Sequence, residues 1–144
     1  MDNLLLAVGQ VAALLGCPRE SIHNWDNLGL LHPSSRRGTH RRYTYDDLVA
    51  AVLTRQMKAK GISRRAVVKL VEYIQHGGLR KLKKRPYVVV SGDRVWACQE
   101  GAVFLGDSAS AICVDLRAGE KRVRELVSKW LENARNDVAT ARSS

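Results

Sequence analysis

The sequence is poor in the features that mark secreted and membrane proteins. Its 144 residues include three cysteines, an odd number without regular spacing, which argues against a secreted disulfide scaffold. No apolar run approaches the roughly 18 residues that a membrane-spanning helix needs. The short apolar stretch after Met1 has no basic segment before it, so we expect no signal peptide. These absences predict a cytoplasmic protein.

Motifs of catalysis and metal binding are also missing. The sequence has no glycine-rich phosphate loop, no nucleophile elbow and no CxxC or Cys/His cluster. Cys98 and Cys113 are fifteen residues apart in candidate strands, and we expect both to be small buried hydrophobic residues. We therefore expect neither an enzyme nor a bound metal or cofactor.

Positive charge is abundant and unevenly placed. The chain has 24 Lys and Arg against 14 Asp and Glu, a formal net charge of +10. Residues 1–78 hold eleven basic and six acidic side chains, residues 79–86 hold five basic and none acidic, and residues 87–144 hold eight of each. A polyanionic partner is therefore expected for the first part. We predict domains at 1–78 and 87–144, joined by a basic linker, 79–86, that either follows phosphates or is solvated.

Two short amphipathic helices are predicted near the start. Apolar residues recur at helical spacing over residues 8–15, and Gly16 is typical of a helix end. Pro18 is well placed to open a second helix over residues 19–28, which Gly29 ends. Two short helices joined by a tight turn predict a helix-turn-helix.

A hairpin and two more helices are predicted next. Leu30-Leu31 and Arg42-Tyr43 are the candidate strands, and the turn formers and cations between them predict a basic hairpin tip. A third helix is expected from Asp46-Asp47 to just before Gly61. Ser63 is a natural N-cap for a fourth helix.

After the basic segment the pattern changes to strands. Residues 87–90 and 94–98 predict a hairpin, and residues 111–114 predict a third strand. Residues 99–109 fit either a strand or a short helix. Residues 120–139 predict an amphipathic helix. The expected fold class is α+β, with a winged helix-turn-helix followed by a small unit of antiparallel strands and one helix.

The order and spacing of the motifs in the first half of the chain are typical of one family. The helix-turn-helix pattern of residues 8–31 is followed by His40-Arg41-Arg42-Tyr43, then Asp46-Asp47-Leu48, then Lys60-Gly61-Ile62-Ser63. Residues 5–75 thus resemble the winged helix-turn-helix DNA-binding domain of the MerR family of bacterial regulators. Residues from 87 onward resemble no domain that we can name.

The resemblance and the residue types indicate which side chains meet DNA. A recognition helix enters the major groove, while phosphate contacts set its register. Arg suits bidentate contacts with guanine, and Asn suits adenine. The predicted DNA contacts are Arg19, Ser21, His23, Asn24 and Trp25 in the recognition helix, Arg36, Arg37, His40, Arg41, Arg42 and Tyr43 in the wing, and Lys60 beyond it. An alternative for Trp25 is a buried anchor between helix and wing.

Two features depart from the family. His23-Asn24-Trp25 stands where the family usually has an arginine and two aromatic residues, so the preferred operator does not carry over. Gly77-Gly78 and Pro86 interrupt the chain where MerR regulators usually have a long dimerisation helix.

We still expect a homodimer, formed through the C-terminal helix by Val127, Trp130, Leu131 and Ala134. Alternatively, this helix only covers its own sheet, or the C-terminal unit binds a small-molecule effector or another protein.

Together these observations predict a sequence-specific protein that binds double-stranded DNA and regulates transcription at the bacterial nucleoid. Two alternatives remain open. A phage or plasmid factor for recombination directionality or segregation would assemble on DNA repeats. A protein-interaction module would use the winged helix only as a tether to DNA.

Overall fold

The computed structural model describes residues 4–31, 33, 35–37, 40–99 and 111–143, without the side chains of 35–37, 40 and 139–143. The fold is α+β, as predicted. In chain order the elements are β1 (Leu6–Ala7), α1 (Val8–Leu15), α2 (Arg19–Asn27), β2 (Ser35–Arg37), β3 (His40–Tyr43), α3 (Tyr45–Ala59), α4 (Arg64–Gln75), a 3-10 helix (Gly78–Lys81), β4 (Tyr87–Ser91), β5 (Arg94–Cys98), β6 (Ala111–Asp115) and α5 (Leu116–Ser143).

Local capping sets the ends of the N-terminal helices. Gly16 closes α1 in the left-handed conformation, with φ 64°, which a residue without Cβ adopts at little cost. At the start of α3, the Thr44 hydroxyl accepts a hydrogen bond from the Asp47 amide at 3.3 Å, and the Asp47 carboxylate accepts one from the Thr44 amide at 2.9 Å. The Ser63 hydroxyl caps α4 as predicted. These caps satisfy amides that the helices leave without intrahelical partners.

The wing differs from its prediction. The hairpin consists of β2 and β3, with Arg36 opposite Arg41, so its first strand lies within the segment that was expected to form the tip. Leu30-Leu31 is buried without being a strand. Instead, β1 supplies the third strand of this antiparallel sheet by pairing Leu6 with Tyr43. Leu30 and Leu31 are buried because their side chains belong to the hydrophobic core.

The second sheet has the order β5-β4-β6 and is antiparallel throughout. A two-residue turn at Gly92 and Asp93 closes the hairpin that the sequence predicted, and Gly92 has φ 58°. Strand β4 runs one residue further than expected, to Ser91. The turn contacts the MerR-like half, because the Ser63 hydroxyl donates to the Asp93 carboxylate at 2.6 Å and the Lys69 ammonium donates to the Asp93 carbonyl, also at 2.6 Å. The undecided segment 99–109 lies outside the described residues except for Gln99.

One hydrophobic cluster contains side chains from both ends of the chain. Leu116, Val123 and Val127 of α5 are at most 1% exposed and belong to the same cluster as the cores of α3 and α4. Helix α5 lies close to α3, since a Cβ added at Gly119 would stand 3.2 Å from a methyl carbon of Leu53. The helix therefore covers the N-terminal helices as well as its own sheet.

The predicted linker is folded. The 3-10 helix opens it, Leu79 and Leu82 pack against the core, and Pro86 is buried, whereas the cationic side chains from Arg80 to Arg85 are exposed. The division into domains at 1–78 and 87–144 stays a prediction.

Two expectations about individual residues are wrong. Val127 is fully buried within its own chain, so it is not available to a partner subunit. Cys113 is exposed and Cys98 only half-buried, because both occupy the face of the second sheet opposite the one that carries Val88 and Val90 into the core.

Candidate nucleic-acid interface

Helix α2 has one buried face and one polar face. Ile22, Trp25 and Asp26 are at most 9% exposed, which fixes the helix against the core. Arg19 and Asn24 lie on the exposed side. Both are residue types that read base edges by paired hydrogen bonds. The helix therefore presents base-reading side chains to solvent at its start and its middle.

Arg41 of the wing forms an ion pair and a hydrogen bond with side chains of α2. The Arg41 guanidinium donates to Asp26 Oδ2 at 2.9 Å and to His23 Nδ1 at 2.8 Å. The Asp26 side chain is 3% exposed and that of Arg41 is 24% exposed. Because a guanidinium only donates, Nδ1 of His23 accepts and Nε2 carries the ring proton. The contacts hold the wing and the recognition helix in one relative position.

A cavity of about 470 Å³ lies where α1, α2, β3 and α5 meet. Its lining residues are Ala7, Val8, Gly9, Gln10, Ala13, Arg19, His23, Arg41, Arg42 and Trp130. A Cβ at Gly9 would stand 2.6 Å from the Arg19 guanidinium, so the glycine lets this flexible side chain lie close against α1. Arg19, His23, Arg41 and Arg42, all predicted to meet DNA, are thus brought together around one depression.

The other predicted contacts have different positions. Asn24 and Lys60 are exposed and Ser21 is half-buried, and none of the three lines the cavity. Trp25 and Tyr43 are 9% and 0% exposed and belong to the core. We therefore remove both from the interface: Trp25 is the buried anchor of the alternative hypothesis, and Tyr43 closes the core beneath the wing. The side chains of Arg36, Arg37 and His40 lie outside the described part of the chain.

Two further arginines serve the fold. The Arg55 guanidinium donates to the carbonyl of Leu15 at the end of α1, and that of Arg64 donates to the carbonyl of Leu28 at the end of α2. Carbonyls at a helix C-terminus lack intrahelical partners and favour cations. The net charge therefore overstates the number of cations that are free to meet a polyanion.

A second polar cluster joins α3 to α5. The Tyr45 hydroxyl donates to Glu120 Oε1 at 2.8 Å, and the Arg124 guanidinium lies 2.5 Å from the same oxygen. Burial, and then the hydrogen bond and negative charge of Glu120, raise the pKa of Tyr45 well above its usual range. This cluster borders a cavity of about 550 Å³ that Arg80 also lines. It anchors α5 to the start of α3.

Residues 6–74 match the family model described as the MerR HTH family regulatory protein. This segment is a MerR-family helix-turn-helix domain. The match spans β1 to the end of α4, which confirms the resemblance seen in the sequence. The match supports the interpretation of this protein as a DNA-binding regulator. No curated protein is significantly similar to the chain.

The described residues show neither a membrane span nor a group of metal ligands. None of their helices has both the length and the apolar character to cross a membrane. Within the same ranges, no three His, Cys, Asp or Glu side chains are grouped as metal ligands.

Sequence reasoning missed two residues within the MerR domain and did not place Trp130 beside it. Gly9 in the first turn of α1 was a usable signal, since a residue without Cβ lets another side chain lie close to the backbone. Asp26 follows Ile22 by four residues on the same helix face, which placed a carboxylate toward the interior. The amphipathic pattern of α5 singled out Trp130, but it does not reveal which surface that helix covers.

Proposed function

We propose that the protein is a sequence-specific regulator of transcription that binds double-stranded DNA through its MerR domain. Helix α2 lies in the major groove, with Arg19 and Asn24 toward base edges. The β2–β3 wing covers the adjacent backbone or minor groove. The proposal rests mainly on the exposed polar face of α2, which contacts between Arg41, Asp26 and His23 hold beside the wing.

The electrostatics support this geometry. Arg42 lies beside the cavity, and no carboxylate in the described part of the chain forms an ion pair with it. Each phosphate that a cation neutralises releases counterions and contributes roughly −0.9 to the slope of log affinity against log salt. We therefore expect affinity to fall steeply as salt rises.

We also propose a homodimer that binds two half-sites. One MerR domain buries little DNA surface, and symmetric half-sites are the usual remedy. The last turns of α5 support this, because Ala134 and Val138 are exposed, Val138 by 52%, and Leu131 is half-buried beside them. Of the four residues predicted at the interface, Leu131 and Ala134 remain in the proposal, Val127 is excluded by its burial, and Trp130 lines the cavity beside α2. No catalytic activity is part of the proposed function, and its setting is the bacterial cytoplasm at the nucleoid.

The decisive experiment selects bound duplexes from a random pool with the full chain and measures the mass of the protein in solution. A single palindromic site and a dimeric mass support the regulator. Tandem direct repeats would favour the factor that assembles along DNA. Absence of any enriched sequence, with duplex binding intact, would contradict sequence specificity.

A further inference from the structure

The cavity of about 470 Å³ beside α2 is lined by three arginines, Arg19, Arg41 and Arg42. Arg41 is paired with Asp26. In the described part of the chain, neither Arg19 nor Arg42 has a carboxylate in ion-pair contact. Guanidinium groups that converge on an open depression repel each other, and an anion with several oxygens removes that repulsion by accepting their hydrogen bonds. The chemistry of the cavity therefore fits a phosphate group.

One wall of this cavity comes from outside the MerR domain. Trp130 of α5 lines it, although the family match ends at residue 74. The position of Trp130 is fixed by its own helix, because Val127 and Val123 are buried about one and two turns earlier and Tyr45 binds Glu120. A half-buried indole offers an apolar ring that a guanidinium can stack on and an N–H group that can donate to oxygen.

We propose that this cavity receives one backbone phosphate of the bound duplex and that Trp130 forms part of the phosphate site. This inference rests on the proposed function, since it names a contact within the same DNA complex. It makes α5 a part of the DNA-binding surface, and it assigns Trp130 to DNA instead of to the partner subunit. Free phosphate has the same chemistry, so the experiment separates the two sources.

The test follows the three tryptophans of the full chain individually. The protein is labelled with 5-fluorotryptophan, and the fluorine NMR signals are assigned with Trp130→Phe and Trp96→Phe. A random-sequence duplex in dilute salt is added to one sample and inorganic phosphate to another. We expect the duplex to shift the signal of Trp130 and to leave that of Trp96, in β5, unchanged.

The outcomes separate this inference from the proposed function. If fluorescence anisotropy detects no duplex binding by the unaltered protein, the proposed function fails and the phosphate site falls with it. If the duplex binds and the Trp130 signal does not move, only the phosphate site is refuted. A shift with inorganic phosphate but none with duplex also overturns it, because the cavity would then serve a free anion. Shifts with both support it.

Affinity supplies a second measurement. Trp130→Ala should weaken duplex binding by about tenfold, the effect of losing one contact to a charged group. Trp130→Phe, which keeps an aromatic ring in the packing, should weaken it less, and it serves as the test if the alanine variant does not fold. Arg42→Ala should lower both the affinity and the salt slope, whereas Arg94→Ala, the same charge change on β5, should alter them less. Tighter binding by Trp130→Ala would contradict the proposal, because α5 would then obstruct the duplex.

Discussion

Replacing Arg41 tests whether the wing is held by an ion pair within the fold. The Arg41→Ala change removes the ion pair with the Asp26 carboxylate, together with the hydrogen bond to His23. Breaking a fully buried ion pair costs about 3–5 kcal/mol, whereas an exposed pair contributes about 0.2–1 kcal/mol. The Asp26 side chain is 3% exposed and that of Arg41 24%. Between these limits we expect a loss of about 2–3 kcal/mol in the free energy of unfolding.

Urea unfolding at neutral pH, followed by circular dichroism, measures this loss. Asp26→Asn and the double variant complete a double-mutant cycle, for which we expect an interaction energy of about 1–2 kcal/mol. Arg41→Lys is the control for charge, because it keeps the cation and loses the planar fork that reaches both partners. A loss below about 0.5 kcal/mol for Arg41→Ala, the usual size for a surface change, would refute the argument. Arg41 would then be an ordinary surface cation that is free to bind phosphate.

Three further predictions concern DNA reading, alkaline pH and thiol reactivity. Asn24→Ala should relax preference at one base position, at a cost of about 1–3 kcal/mol for a bidentate contact; selection from a random duplex pool measures this, with a change of the exposed Gln99 to Ala, just after β5, as control. Burial and Glu120 raise the pKa of folded Tyr45. The folded residue therefore stays protonated at about pH 10, where unfolded Tyr45 ionises. The stabilisation that this difference provides is present below that pH and is lost as the pH rises, so urea unfolding of Tyr45→Phe should show a shallower alkaline loss. Iodoacetamide at neutral pH should modify the exposed Cys113 before the half-buried Cys17, whose pKa is raised by burial and lowered less by Arg55.

Each of these has a contrary result. An unchanged selection profile for Asn24→Ala would remove Asn24 from the base-reading residues. Parallel alkaline curves for the native protein and Tyr45→Phe would show that the buried hydroxyl does not carry the pH dependence. Peptide mass spectrometry that finds Cys17 modified as fast as Cys113 would mean that the end of α1 opens readily.

The helices of the MerR domain were predictable because their signals are local. Apolar spacing, Gly16 and Ser63 lie within or beside the elements that they define. Strand β1 was not predictable in the same way, since two residues become a strand only by pairing with Arg42 and Tyr43 more than thirty positions later. Leu30-Leu31 was mistaken for a strand because burial, not pairing, selects its apolar side chains.

The candidate site divides in the same manner. Residue type and helix periodicity placed Arg19 and Asn24 correctly on the exposed side of α2. The same reasoning could not tell that Tyr43 is buried or that Arg41 is occupied by Asp26, because both depend on how β3 meets α2. For Trp130 the sequence left open whether α5 meets a partner subunit or only covers its own sheet, because an amphipathic pattern predicts a covered face without identifying what covers it.

The shared core has a consequence for anyone who wishes to transplant the first half of this protein. Leu116, Val123 and Val127 belong to the same core as α3 and α4, which precede them by some sixty residues. Truncating the chain after α4 would therefore expose an apolar surface. Such a truncated protein should aggregate or unfold at a lower temperature. A chimaera should therefore fold only if it includes α5 together with α1 to α4.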